Sequence, residues 1–408
     1  MPHISFVIPS PHYGSSCVLL DLRIFHGSRP YKTCILSIVM KNGRKSFDRI
    51  KELSTLNDIP LEDALFIDMN RKGVIADTEH DRIRFYLRIS DDPCFEESEK
   101  SGVKDFFFVV PTHSTISNYC IKNNVMLLED KEIGTIPGIV NDTCDPIYPR
   151  RNGTVLNLNP HSKSTCHGCA FCHTFKQTGR DVSKLKTEDF IKKHIEEWLK
   201  KYGKNDLSYL HRVDVVTGCF GSEEEASNNL HLIRDITSKY NYNGEIFYFG
   251  SEITSQQTLD KLKGMEPFAL CLSLECFEDR DRILKKHKSI ISLEHAKEIL
   301  GGSKEKGFGS QFSYVLGIEP LEVVLDGMEE FLPYVNRLPV VNVFQPHTQA
   351  QTKLLAPEAH ELEYFLDARK GLEKMFGPTG YRPRIWGNYR CLWYLKFQDE
   401  RLKGERLP

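Results

Sequence analysis

From residue 153 onward, short apolar runs alternate with longer segments in which apolar residues recur every three or four positions. The runs at 155–159, 213–216, 246–249, 268–274, 312–316 and 340–344 read as strands. The segments at 187–202, 223–240, 256–263, 293–306, 321–334 and 357–376 read as amphipathic helices. In the first of these helices Phe190, Ile191, Ile195 and Leu199 share a face, and Thr187 stands where a helix is capped. Six β–α units in series, with strands apolar enough to be buried on both faces, predict a parallel sheet covered by helices.

The pattern before residue 136 is different. Short β-like runs at 4–8, 17–24, 34–40, 64–68, 82–89 and 106–110 are separated by turn residues such as Asn42-Gly43 and Asp91-Asp92-Pro93, and 45–56 reads as a helix. A run at 125–128 followed by 130–134 reads as a hairpin. These features predict an α+β accessory domain over 1–135, a linker over 136–152, a barrel-like domain over 153–350, and a C-terminal helix with an aromatic-rich extension over 351–408. Trp386, Asn388, Tyr389, Arg390 and Trp393 lie in that extension, where they would close the side of the barrel or simply pack.

The strand at 155–159 opens into a polar loop that presents Cys166, Cys169 and Cys172 within seven residues. A peptide this short holds three thiols close together, and closely spaced thiolates suit a soft metal centre, an iron–sulfur cluster or zinc. A fourth cysteine in step would suggest an ordinary ferredoxin cluster, but position 176 is Lys176. Three local cysteines leave one iron of a cluster open to a ligand from elsewhere. The competing reading is a zinc knuckle completed by His167, His173 or Cys144, in a non-enzymatic binding protein.

A strand followed by a cysteine loop, with Phe171 just before the last cysteine, resembles the radical S-adenosylmethionine (SAM) superfamily. The usual C-x3-C-x2-C spacing is one residue shorter here. The resemblance spans residues 150 to 350 and implies a partial (β/α)6 TIM-like barrel, with a doubly wound sheet as the alternative. It further implies a [4Fe–4S] cluster on Cys166, Cys169 and Cys172, with SAM on the remaining iron. At the end of the second strand Thr217 and Gly218 would contact SAM, with Glu223 the nearest acid. Glu252 after the third strand and Ser273 and Glu275 on the fourth are the polar groups that would bind its ribose, and Arg282 is a possible partner for Glu275. Around the fifth strand Ser313, Val315, Gly317 and Glu319 partly match the pattern that packs on the adenine. Polar residues at every strand end favour the barrel, because barrel chemistry sits at the carboxyl ends of strands. Tyr314, Gln345, His347 and Arg384 are candidates to face a substrate. The implied activity is reductive cleavage of SAM to a 5′-deoxyadenosyl radical acting on a small molecule or peptide; a 3-amino-3-carboxypropyl transfer is the enzymatic alternative. An external one-electron donor such as flavodoxin or ferredoxin is implied.

Composition narrows the partners. The 408 residues carry 54 Lys+Arg against 56 Asp+Glu, a net charge of −2, and 40% apolar residues, so a sizeable core and no polyanion-binding face are expected. The basic pieces Lys192-Lys193 and Lys285-Lys286-His287-Lys288 read as solvated helix surface. Residues 1–13 lack the features of a signal peptide, no stretch reaches the ~20 apolar residues of a membrane span, and nine further cysteines read as buried small hydrophobes. A cytoplasmic protein with neither nucleic acid nor membrane as partner is expected.

Overall fold

The computed structural model describes residues 45–112, 117–142, 147–150 (as backbone), 154–158, 168–173, 187–216, 220–384 and 390–402. The β-like runs read at 4–8, 17–24 and 34–40 lie outside the described residues. Lys45–Pro408 forms one compact unit.

The unit begins with α1 (Ser46–Asn57), α2 (Leu61–Lys72), β1 (Ile75–Ala76), β2 (Arg82–Ile89), α3 (Glu96–Ser101), β3 (Asp105–Pro111), β4 (Tyr119–Lys122), β5 (Val125–Leu128), β6 (Lys131–Thr135) and β7 (Ile139–Asn141). These strands form a sheet in the order β1-β4-β5-β6-β2-β3, with β7 pairing on β2. The expected hairpin is β5 against β6, antiparallel.

One expectation fails here. Residues 64–68, read as a strand, lie inside α2, in which every residue from Leu61 to Asn70 is buried. A helix buried all round has no polar stripe, so its apolar run looks like that of a buried strand. The better signals were Pro60 just before α2 and Gly73 just after it, at φ +68°. The polar residues of α2 tie it to the C-terminal part of the chain. Asp63 accepts from Arg369 at 2.6 Å and from the Leu395 N–H at 2.9 Å, and Asn70 accepts from Gln345 at 2.9 Å.

The second sheet is built from β8 (Ile147–Arg150), β9 (Val155–Leu158), β10 (Arg212–Val216), β11 (Glu245–Gly250), β12 (Phe268–Glu275), β13 (Gly309–Leu316) and β14 (Val340–Val343). Between and after these strands come α4 (Glu188–Tyr202), α5 (Glu223–Lys239), α6 (Gln256–Lys261), α7 (Arg280–Ile283), α8 (Lys286–Ser289), α9 (Leu293–Glu305), α10 (Leu321–Phe331), α11 (Gln349–Thr352) and α12 (Leu362–Phe376). The spatial order is β14-β13-β12-β11-β10-β9-β8. Strands β9 to β14 are parallel and lie in chain order.

That order decides between the two architectures. A doubly wound sheet reverses its strand order partway. Here each right-handed crossover steps the same way, so the crossover helices fall on one face and the sheet curls as a partial barrel. The edge strand β8 is antiparallel to β9 and lies within the segment read as a linker. Pro149 lacks a backbone N–H, which suits an edge strand and hid this one from pattern reading.

Register separates the two faces of the sheet. Leu156, Val213, Ile246 and Phe268 fall in one row, and they share a core with Ile195 and Leu199 of α4, Leu230 and Ile233 of α5, and Ile299 of α9. The next row, Asn157, Asp214, Phe247 and Ala269, faces the other way. Both faces are buried, as expected, but only the helix face is uniformly apolar. Arg212, Asp214, Glu245, Cys271, Ser273, Gln311 and Ser313 share the opposite face with Asn157. Charge there is paired: Arg212 grips Asp214 at 2.9 Å and lies 4.3 Å from the Phe247 ring centre, and Glu245 binds Arg337 at 3.0 Å and Arg384 at 2.9 Å. Arg384 is therefore an ion-pair partner. No helix among the described residues is long and apolar enough to cross a membrane.

Candidate cofactor site at the carboxyl ends of the parallel strands

Two of the three expected metal ligands, Cys169 and Cys172, lie in the described residues as free thiols; Cys166 lies outside them. Gly168, at φ +77°, turns the chain just before Cys169, and the Cys172 N–H closes the turn on the Cys169 carbonyl at 3.0 Å. The turn is anchored from two directions. The Ala170 N–H donates to the Ile283 carbonyl at 2.8 Å, and Gln351 Nε2 donates to the Ala170 carbonyl at 3.3 Å. Those anchors follow β12 and β14, so the cysteines sit at the carboxyl ends of the parallel strands. Cys169 packs in an apolar cluster with Cys276, Ile283, Leu284, Val315, Ile318 and Phe344, and Phe171 and Cys172 border it.

Beside Cys169 lies a buried ion pair. Lys288 Nζ donates to Glu275 Oε1 at 3.0 Å, with side chains only 10% and 8% exposed. Burial opposes the ammonium charge of Lys288, but Glu275, Cys169 and Glu252 outweigh it and raise the group above its ordinary value. Burial likewise pushes the Cys169 thiol up, and Lys288 with the Lys285 backbone N–H offsets part of that. Lys285 and Lys288 are both buried. The basic run read as solvated surface thus supplies the counter-charge of the site, while Arg282 bonds Asp279 at 2.9 Å on the exterior.

Glu275 does not simply continue the alternation of β12. The register with β13 slips between Ser273 and Glu275, and Glu275 adopts φ +73°. A non-glycine residue there is strained by on the order of 1–3 kcal/mol. Glu252 is held by Tyr248 Oη at 2.7 Å, the Ser251 N–H at 2.9 Å and Ser251 Oγ at 3.1 Å, and His287 Nε2 lies 3.8 Å from it.

Several other residues singled out in the sequence make well-defined contacts within the fold. Glu223 accepts from the Thr254 and Ser255 N–H groups, both at 2.7 Å, and so ties α5 to the loop after β11. Glu319 is buried and accepts from the Phe277 N–H at 3.0 Å, the Glu278 N–H and Tyr314 Oη. Burial nevertheless raises its carboxyl pKa. Tyr314 accordingly sits in the helix-side core. Gln345 Nε2 donates to Asn70 Oδ1 and, at 3.0 Å, to the Val109 carbonyl, which latches β14 to the N-terminal sheet. Gly317 takes φ +114°, where a Cβ would lie 3.3 Å from Phe365. Trp393 is buried and donates to Glu373 at 2.8 Å. Thr217 and Gly218, like Trp386, Asn388 and Tyr389, lie outside the described residues.

The donor set fits a thiolate-bound soft metal: two unoxidised cysteines in one turn, an apolar wall on one side and a buried lysine beside it. Cys276, fully buried in the same apolar cluster, is the neighbour that sequence spacing could not reveal. Among the described residues no three His, Cys, Asp or Glu side chains meet in a metal-binding group.

The fold and site define a curled parallel α/β sheet with a cysteine turn at its strand ends. No protein-family model matches the chain, and no curated protein does. Among solved structures the chain is similar to two that hold S-adenosylmethionine or a [4Fe-4S] cluster. One is Streptococcus suis SuiB bound to S-adenosylmethionine (16% identity, TM-score 0.34, covering 50% of this chain and 43% of that one). Another is the radical S-adenosylmethionine methyltransferase TsrM from Kitasatospora setae, with cobalamin and a [4Fe-4S] cluster bound (11% identity, TM-score 0.31, covering 43% and 34%). The chain spans less than half the length of each.

Proposed function

We propose that the chain is a radical SAM enzyme in which Cys166, Cys169 and Cys172 hold a [4Fe–4S] cluster and the strand ends bind SAM. The observation that carries this reading is the placement of the Cys169–Cys172 turn, pinned to the segments after β12 and β14 next to the Glu275–Lys288 pair. When bound, the cluster and SAM supply one-electron cleavage of a carbon–sulfur bond and a carbon radical that abstracts hydrogen.

The chain's own residues bind, orient and shield. Glu275, its charge set by Lys288, and Glu252, fixed by Tyr248 and Ser251, offer carboxylate oxygens suited to the ribose hydroxyls, with Ser273 on the same strand as Glu275. Thr217 and Gly218 are assigned the SAM amino end, and Gly317 and Phe171 the walls of the site. The substrate, a small molecule or a peptide, is assigned to the polar face of the sheet. Both amide atoms of Asn157 and the hydroxyl of Ser313 are buried there without a hydrogen-bond partner among the described residues. Buried polar groups left unpaired cost ~1–3 kcal/mol each, so a polar occupant is the natural complement. A flavodoxin or ferredoxin is the proposed electron donor, the cytoplasm the proposed compartment, and 1–135 the proposed accessory domain.

Anaerobic reconstitution with iron and sulfide is the test. About four irons per chain, lost on substitution of the three cysteines, with SAM cleavage on reduction, support the reading. One tightly held zinc with no SAM turnover overturns it. The mass of the SAM-derived product separates 5′-deoxyadenosine from a 3-amino-3-carboxypropyl transfer.

A further inference from the structure

The end of β14 is where the N-terminal sheet, the C-terminal segment and the cysteine turn meet. The Val343 N–H donates to the Arg390 carbonyl at 2.7 Å, and two residues later Gln345 bonds the Val109 carbonyl of β3. Val109 pairs with Arg84 across β2 and β3, and Arg82 pairs with Pro111. Arg82 and Arg84 both reach the carboxylate of Asp142, Arg82 at 3.1 Å. His347, two residues past Gln345, stacks on His173 with ring centres 4.0 Å apart and planes 4° apart, and His173 directly follows Cys172.

Three buried polar atoms in this corner make no hydrogen bond among the described residues: Nδ1 and Nε2 of His347, and Nε of Arg82. The Arg82–Asp142 contact is an ion pair without hydrogen-bond alignment. Burial, reinforced by the positive charge of Arg82, by His173 and by Arg390, brings the pKa of His347 down to about 2. The two ring nitrogens find no side-chain partner among the described residues, and the Gln345 backbone offsets only part of the burial. Burial and the charge of Arg82 also bring the guanidinium of Arg390 down to about 10. The corner gathers Arg82, Arg84 and Arg390 around the single carboxylate of Asp142, and among the described residues three of its buried polar atoms make no hydrogen bond.

We propose that Arg82 and His347, with Arg390 beside them, form a subsite for a carboxylate of the substrate. The guanidinium of Arg82 presents a planar fork suited to a carboxylate, and the His347 N–H adds a further donor. Arg82 belongs to β2, so the N-terminal sheet supplies a specificity-determining residue next to the cysteine turn. The assignment rests on the strand-end site being the active site, and SAM is the other carboxylate that could come there.

Two binding experiments separate the sources. In the first, thermal unfolding of the full, metal-free chain is followed at constant ionic strength against glutarate, with uncharged glutaramide as control. Glutarate stabilises the chain saturably and glutaramide does not. Arg82→Gln weakens glutarate by about ten-fold, equivalent to ~1.4 kcal/mol, and Arg82→Lys by only about three-fold. In the second, SAM affinity of the iron-loaded protein changes by less than about two-fold in Arg82→Gln. Equal glutarate responses in wild type and Arg82→Gln, or an equal response to glutaramide, overturn the proposal. A parallel loss of SAM affinity also overturns it, because the carboxylate is then that of SAM. If Arg82→Gln does not fold, His347→Phe reads the same loss, and unchanged glutarate binding there sinks the idea. The glutarate arm needs no iron, so it fails or succeeds independently of cluster loading.

Discussion

Lys288 reaches back from α8 to donate to Glu275, the last residue of β12, so a buried ammonium and a buried carboxylate neutralise each other at the mouth of the sheet. Removing one partner strands the other. Lys288→Met is expected to cost about 3–5 kcal/mol in denaturant unfolding, and Glu275→Gln a similar amount. The double variant should recover at least half of the summed loss, because no uncompensated charge remains. Additive losses would mean that the pair is not coupled.

Cys169 and Cys276 share one apolar cluster, but only Cys169 lies in the turn. Cys169→Ser and Cys172→Ser should each lower reconstituted iron to about a quarter or less of wild type. Cys276→Ser should leave it within about a fifth. Iron analysis decides this, and a large loss in Cys276→Ser would make Cys276 a ligand.

Gly317 holds φ +114° with Phe365 behind it. Gly317→Ala is expected to cost ~1–3 kcal/mol of folding stability from backbone strain alone. Trimming the ring with Phe365→Leu should not restore that loss, whereas a purely steric effect would be relieved by it.

His347 also makes stability depend on pH. Its folded-state pKa is depressed from 6.5 to about 2, so below pH 6.5 the unfolded chain takes up a proton that the folded chain refuses. Stability from this group is intact above that value and is lost as pH falls toward the folded pKa, at up to ~1.4 kcal/mol per pH unit. His347→Gln should flatten the acid limb of the stability curve by that slope. An unchanged limb would mean that the ring titrates normally.

Strand and helix positions after residue 153 were legible because each crossover puts one face of its helix on the apolar side of the sheet, and that burial writes a period into the sequence. The same logic misread α2, whose buried surroundings erase the period. The cysteine loop was legible from spacing alone. Its surroundings were not: Lys288 in a basic run, Cys276 among scattered cysteines and the polar row containing Asn157 acquire meaning only from contacts across distant crossovers. The edge strand β8 was hidden by Pro149, and the role of Glu319 as an acceptor by the forty residues that separate it from its partners Phe277 and Glu278.

The in-order winding of β9 to β14 also sets how the reactive end can be altered. Each loop there is framed by a strand and the helix that follows it, and the apolar packing lies on the far side of the sheet. Lengthening one such loop would reshape a single segment of the rim and leave the neighbouring register untouched. Such a rim can be refitted piece by piece for a new guest while the framework beneath it stays the same.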